Sequence, residues 1–171
     1  MDLYMILLRL VHIVAGILWV GFAIFMLFFT APTVRRLEAA GTRFMYLLYT
    51  HTPIQLVMPV LALLTTGAGI LLYLRVSDMF NAAWIGSPGG LVLTIGSLAG
   101  ILAFGHGVAA LIPLNNRYRA AVEKLQAQDG PPSAEQITEL QALRARLGLN
   151  SRIGAVLMVI AVIGMATARY F

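Results

Sequence analysis

Four long apolar runs dominate this chain and leave it few ways to fold. They extend from about residue 3 to 34, 53 to 74, 89 to 114 and 153 to 170. Each meets or approaches the roughly 20 residues that a helix needs to cross a hydrocarbon core. In that solvent every backbone amide and carbonyl must be satisfied within the segment, which makes the helix the spanning unit. The expected fold is all-α: a polytopic membrane protein, an antiparallel four-helix bundle forming one membrane domain over residues 1–171. Composition agrees, because the chain is 60% hydrophobic and 11% charged, against roughly 25% charged in soluble domains. Leu3 to Thr30 is too long for a signal-peptide core and no small-residue cleavage site follows, so it reads as a mature helix. With no cysteine, disulfides, thiolate metal sites and thiol catalysis are all excluded.

Charge predicts the orientation. Arg35, Arg36 and Arg43 follow the first span, and Arg117, Arg119, Lys124, Arg144, Arg146 and Arg152 follow the third. The opposite side carries Arg9, Arg75 and Arg169. This asymmetry puts the first and third loops in the cytoplasm and both termini outside, in a cell inner (cytoplasmic) membrane. The net charge of +5 then reflects loop placement and not nucleic-acid binding. Tyr4, Tyr73, Trp84 and Tyr170 fall near the outer boundary, as an aromatic belt requires. The cytoplasmic segment of about 115–150 reads as a helical hairpin. Asn115 to Gln128 continues the third span, Asp129-Gly130-Pro131-Pro132 breaks it, and Ser133 with Gln136 forms a capping box for a short amphipathic return.

Chemistry concentrates on histidines. His12 lies inside the first span, where an ionisable side chain is costly unless something binds it. Arg9, His12, Gly16 and Trp19 share one helical stripe. Antiparallel counting brings Thr66–Gly67, Gly96–Ser97 and Ala161–Val162 to the level of His12, so three helices offer small residues there. That pattern suits a cavity for a flat, histidine-held group such as haem b, with His12 as axial ligand, Arg9 toward the propionates and Trp19 as a wall. It equally suits close packing around a histidine satisfied by Thr66, Ser97 or a carbonyl. His106, late in the third span, and His51, which begins the second span or lies within it, form a candidate inner site. Its depth differs from that of His12 by roughly 15 Å. His12 and His106 are the candidate metal ligands. Met158 and Met165 bracket the level of His12 and are candidates for a sixth haem ligand. If the second helix starts near Thr42, His51, Gln55 and His106 share a level with Met58 and Met158, and imidazole with thioether makes copper a weaker alternative, without a cysteine, a His-x-His or a close methionine pair. The seven acids lie in loops or at ends, which disfavours proton pumps and ion-coupled transporters. No enzyme motif stands out.

His12 followed by Trp19 and Gly21 resembles the first helix of the copper-resistance protein D-like membrane families and of HemJ, the haem-dependent protoporphyrinogen oxidase. Arg43-Phe44-Met45-Tyr46 with Thr52-Pro53, Trp84, and His106 also fall where HemJ has similar features. Phe22 to Pro32 lacks the arginine and histidine that close the family's first helix. Ser87-Pro88-Gly89-Gly90 replaces its histidine and lysine before the third. The resemblance implies a four-helix scaffold that in relatives binds haem b or handles copper, with His12 as the ligand carried over. The expected partners are the lipid bilayer and a membrane redox partner, the subunits of a larger complex, or a second copy of the chain. Electron transfer on haem, a non-catalytic subunit or assembly factor, and copper handling are the three functions this leaves.

Overall fold

The computed structural model describes residues 2–171, and among them there is no strand. Helix α1 (Leu3–Phe25) passes through a π-helical turn, Met26–Thr30, into α2 (Ala31–Arg36). Helices α3 (Glu38–His51) and α4 (Ile54–Val76) follow. A short α5 (Ala82–Ile85) precedes α6 (Pro88–His106), which continues through a second π turn, Gly107–Leu111, into α7 (Ile112–Ala127). Helix α8 (Ala134–Thr167) closes the chain with a 3-10 turn, Ala168–Tyr170. Four helical paths are long and apolar enough to cross a membrane: Leu3–Arg36, Ile54–Val76, Pro88–Ala127 and Ala134–Tyr170.

Proline explains both π turns. Pro32 and Pro113 each lie two residues beyond one. A proline cannot donate to the carbonyl four residues back, and its ring crowds that carbonyl; one extra residue in the turn relieves the clash while the helix continues. Thr52, extended ahead of Pro53, does interrupt the helix (φ −125°, ψ 154°). So His51 neither begins nor lies within the second span; it ends a separate helix. The hairpin forms as expected, with both halves of the Ser133–Gln136 capping box in place. Its return is not short, however. Helix α8 runs unbroken through Asn150 and Ser151 into the last span, since neither residue denies the backbone a hydrogen bond.

Helix α1 packs chiefly on α4, and α6 chiefly on α8, with narrower seams between α4 and α6 and between α1 and α8. Within each pair the helices run antiparallel, as His12 against Gly69 and Gly16 against Thr65 show for the first, and Gly96 against Gly164 and Gly100 against Ala161 for the second. The spans bury small side chains: Ala15, Ala62, Thr65, Ala68, Ala99, Ala103 and Ala161, with Met158. Their large apolar side chains point outward, as at Leu10, Ile13, Leu63, Leu98 and Ile163. That is the pattern expected in lipid, where close backbone approach, not apolar burial, holds helices together. Beyond the spans the pattern inverts. Tyr118, Val122 and Leu143 form a small core between α7 and α8, joined by Tyr46 of α3, and the charges face out. Arg144 ties this head together by donating from Nε to the Tyr118 hydroxyl at 3.1 Å and from Nη2 to Thr42 Oγ1.

Candidate functional site

His12 reaches across to α4 and holds its backbone. Nδ1 lies 2.8 Å from the Thr65 carbonyl oxygen, and since a carbonyl only accepts, Nδ1 carries the proton. In the neutral ring the lone pair then sits on Nε2. That nitrogen has no hydrogen-bond partner among the described residues and is not buried. The ring lies directly on Gly69, where an added Cβ would stand 2.8 Å from His12 Cε1 and 2.9 Å from Nδ1. One turn further, Thr65 Cγ2 fills the space over Gly16 at 3.4 Å from an added Cβ. The Thr65 hydroxyl is buried there without a partner. Carbonyl, glycine and threonine thus seat the imidazole in one orientation, with a single nitrogen open.

The rest of the stripe divides. Arg9 is exposed and makes no hydrogen bond or ion pair among the described residues. Trp19 is half-buried two turns past His12. The small residues at the level of His12 on the other pair of helices are in direct contact. A Cβ on Gly164 would meet Gly96 Cα at 2.8 Å, and one on Gly100 would meet Met165 Cε at 3.6 Å and Ala161 Cβ at 3.7 Å. Gly96, Gly100 and Ala161 therefore serve the α6–α8 contact, as the packing reading holds, and Met165 lies against α6.

His106 repeats the construction of His12 in the second pair. Its Nε2 donates to the Asn150 carbonyl at 3.1 Å, and its ring faces Gly154, four residues further along α8, whose added Cβ would stand 3.8 Å from Cδ2. Here the remaining nitrogen is Nδ1, next to the backbone. In helix register His12 sits level with about Leu98, placing the two histidines about 12 Å apart in depth. His51 is exposed at the end of α3 and shares no hydrogen bond with His106 among the described residues. Gln55, in the first turn of α4, accepts from Arg119 Nη1 at 2.8 Å. No group of three or more His, Asp or Glu side chains among the described residues could hold a metal ion. Sequence reasoning passed over Gly69 and Gly154 as floors for the rings. The available signal was a glycine four residues after the accepting carbonyl, which becomes readable only once the partner helix is known. No family model, curated protein or solved structure matches this chain.

Proposed function

We propose that this chain is an inner-membrane protein, an antiparallel four-helix bundle with its hairpin in the cytoplasm and both termini outside, that presents His12 to a b-type haem. One observation carries this reading: His12 Nδ1 is committed to the Thr65 carbonyl and Nε2 is left open. A histidine that ligates a metal typically donates its other nitrogen to a carbonyl or carboxylate, which sets the tautomer and the ring orientation. The uncompensated Arg9 one turn outward suits a ligand that is anionic at one edge. Trp19 would flank it. A haem so held supplies one-electron redox chemistry. The chain's own part is to offer one ligand in a fixed orientation, with a cation nearby. His106 makes the poorer ligand for a broad ring system, because its free Nδ1 is beside the backbone, and His51 brings no second group to it.

A second reading has its own support. The close contact of Gly96 with Gly164 favours packing over a cavity between α6 and α8 at the level of His12. The open nitrogen of His12 would then be covered by a second protein. In that case the chain is a non-catalytic subunit or assembly factor. The test is the absorption spectrum of the detergent-purified protein from haem-replete cells. The expected result is a reduced b-type band, lost in His12→Ala and kept in His106→Ala. A colourless, iron-free preparation overturns the haem reading. Co-purifying membrane subunits in that colourless sample support the second, and bound copper by elemental analysis supports copper handling.

A further inference from the structure

Where α7 and α8 leave the spans, they enclose a cleft of about 440 Å³. Its lining includes Arg117 and Lys124 of α7, and Glu139 and Arg146 of α8. Arg117 and Lys124 are seven residues apart with Ala120 and Ala121 between them; Glu139 and Arg146 are seven apart with Ala142 and Leu143 between them. Two helical stripes therefore face each other, charged at both ends and small in the middle. The alanines keep the space open. The hydrogen bond from Arg144 to Tyr118 sets the register, so Arg117 stands opposite Arg146, and Lys124 opposite Glu139.

Two neighbouring arginines on α7 and α8 are committed. Arg119 bonds Gln55 at 2.8 Å and pairs with Glu123 at 3.4 Å, and Arg144 holds Tyr118 and Thr42. The side chains of Arg117, Lys124 and Arg146 make no hydrogen bond or ion pair among the described residues, and Arg146 only accepts from Asn150 Nδ2 at its backbone carbonyl. Two unpaired guanidinium groups on facing stripes repel one another, an arrangement that an anion between them turns to advantage. Guanidinium groups are suited to phosphate oxygens, which they can bind in a bidentate manner.

Position identifies the anion. Arg117 lies three residues beyond Leu114, where the third apolar run ends. The packing pattern inverts at that same level, from small residues inside to large ones. At about 1.5 Å per residue, Arg117 stands roughly one helical turn outside the hydrocarbon, at headgroup depth. We infer that this cleft binds the phosphate group of an anionic lipid headgroup between Arg117 and Arg146. Lys124 and Glu139 line the far end of the same cleft. The inference rests on the membrane reading of the four spans and is independent of any haem.

The full chain in detergent, offered phosphatidylglycerol or phosphatidylcholine, tests it, with retained lipid read by native mass spectrometry. Phosphatidylglycerol should be retained about tenfold more strongly, the scale of one or two charge-assisted hydrogen bonds. The double variant Arg117→Gln/Arg146→Gln should lose that preference, and Arg117→Lys/Arg146→Lys should keep part of it. Arg35→Gln/Arg36→Gln, on the other basic loop, should retain it in full. Helicity by circular dichroism checks that each variant is folded. Equal loss in both Gln variants, or no headgroup preference at all, overturns the site. Displacement of the lipid by inorganic phosphate keeps the phosphate site but assigns it to a soluble compound, overturning the lipid source. A chain that stays soluble without detergent or bilayer would instead defeat the membrane reading beneath it.

Discussion

A methyl group added at Gly69 would enter the His12 ring, 2.8 Å from Cε1 and 2.9 Å from Nδ1. Gly69→Ala should displace the imidazole, break its bond to the Thr65 carbonyl and cost about 1–3 kcal/mol, as overpacking does. Gly67→Ala, two residues away with nothing within 4 Å of the added carbon, should gain up to about 1 kcal/mol from helix propensity. Thermal midpoints in detergent separate the two, and equal midpoints would show that the ring is not seated on Gly69. Tyr49 gives a second residue-scale test, in the head and outside the spans. Loss of solvent, and then the neighbouring Tyr118, push its hydroxyl above the ordinary 10.0. The folded chain keeps this proton at a pH where the unfolded chain has released it. The contribution is therefore complete below pH 10.0 and falls as pH rises from there toward the folded value. Tyr49→Phe should lose less stability than the parent above about pH 10, measured by denaturant unfolding across the alkaline range. His12 itself was identifiable from the sequence as an expensive residue in lipid. Which of its nitrogens stays free was not, because that depends on a carbonyl 53 residues away.

Helices α6 and α8 meet backbone to backbone. A Cβ on Gly164 would fall 2.8 Å from Gly96 Cα and 3.1 Å from both Gly96 N and the Val92 carbonyl oxygen. No flexible side chain can yield there, so Gly164→Ala must push the two helices apart. It should destabilise the protein by about 1–3 kcal/mol. Gly105→Ala, with nothing within 4 Å, should be neutral or mildly stabilising when assayed the same way. At this scale the hairpin was readable because its signals are local: Asp129-Gly130-Pro131-Pro132 stops one helix, and Ser133 with Gln136 starts the next. The π turns were not readable. Pro32 and Pro113 forbid one hydrogen bond each, but whether a helix answers by ending or by widening depends on what it packs against. Around Pro53 it ends and α3 folds onto the head, where Tyr46 joins the core of Tyr118, Val122 and Leu143.

As a whole, the molecule is inside-out at one end and conventional at the other. Between the spans it buries alanine, glycine and threonine and exposes leucine and isoleucine; in the head it buries tyrosine, valine and leucine and exposes charge. Two solvents explain the two patterns: lipid leaves packing geometry to choose the interior, and water drives large apolar groups inward. The basic head is expected in the cytoplasm. Because the chain has no cysteine, single substitutions test this directly. In sealed cells, Asn81→Cys should react with a membrane-impermeant thiol reagent and Ser133→Cys only after lysis; the reverse pattern would invert the orientation. The amino-acid order by itself determined the four spans, the charge asymmetry and the hairpin, since each follows from length, polarity or a local capping signal. Whether the small residues enclose a space or touch was decided only by tertiary structure. So was the fact that His12 offers Nε2 while His106 offers Nδ1. Both depend on the register between helices, where a slip of one residue turns a side chain by about 100° and puts a different group opposite it.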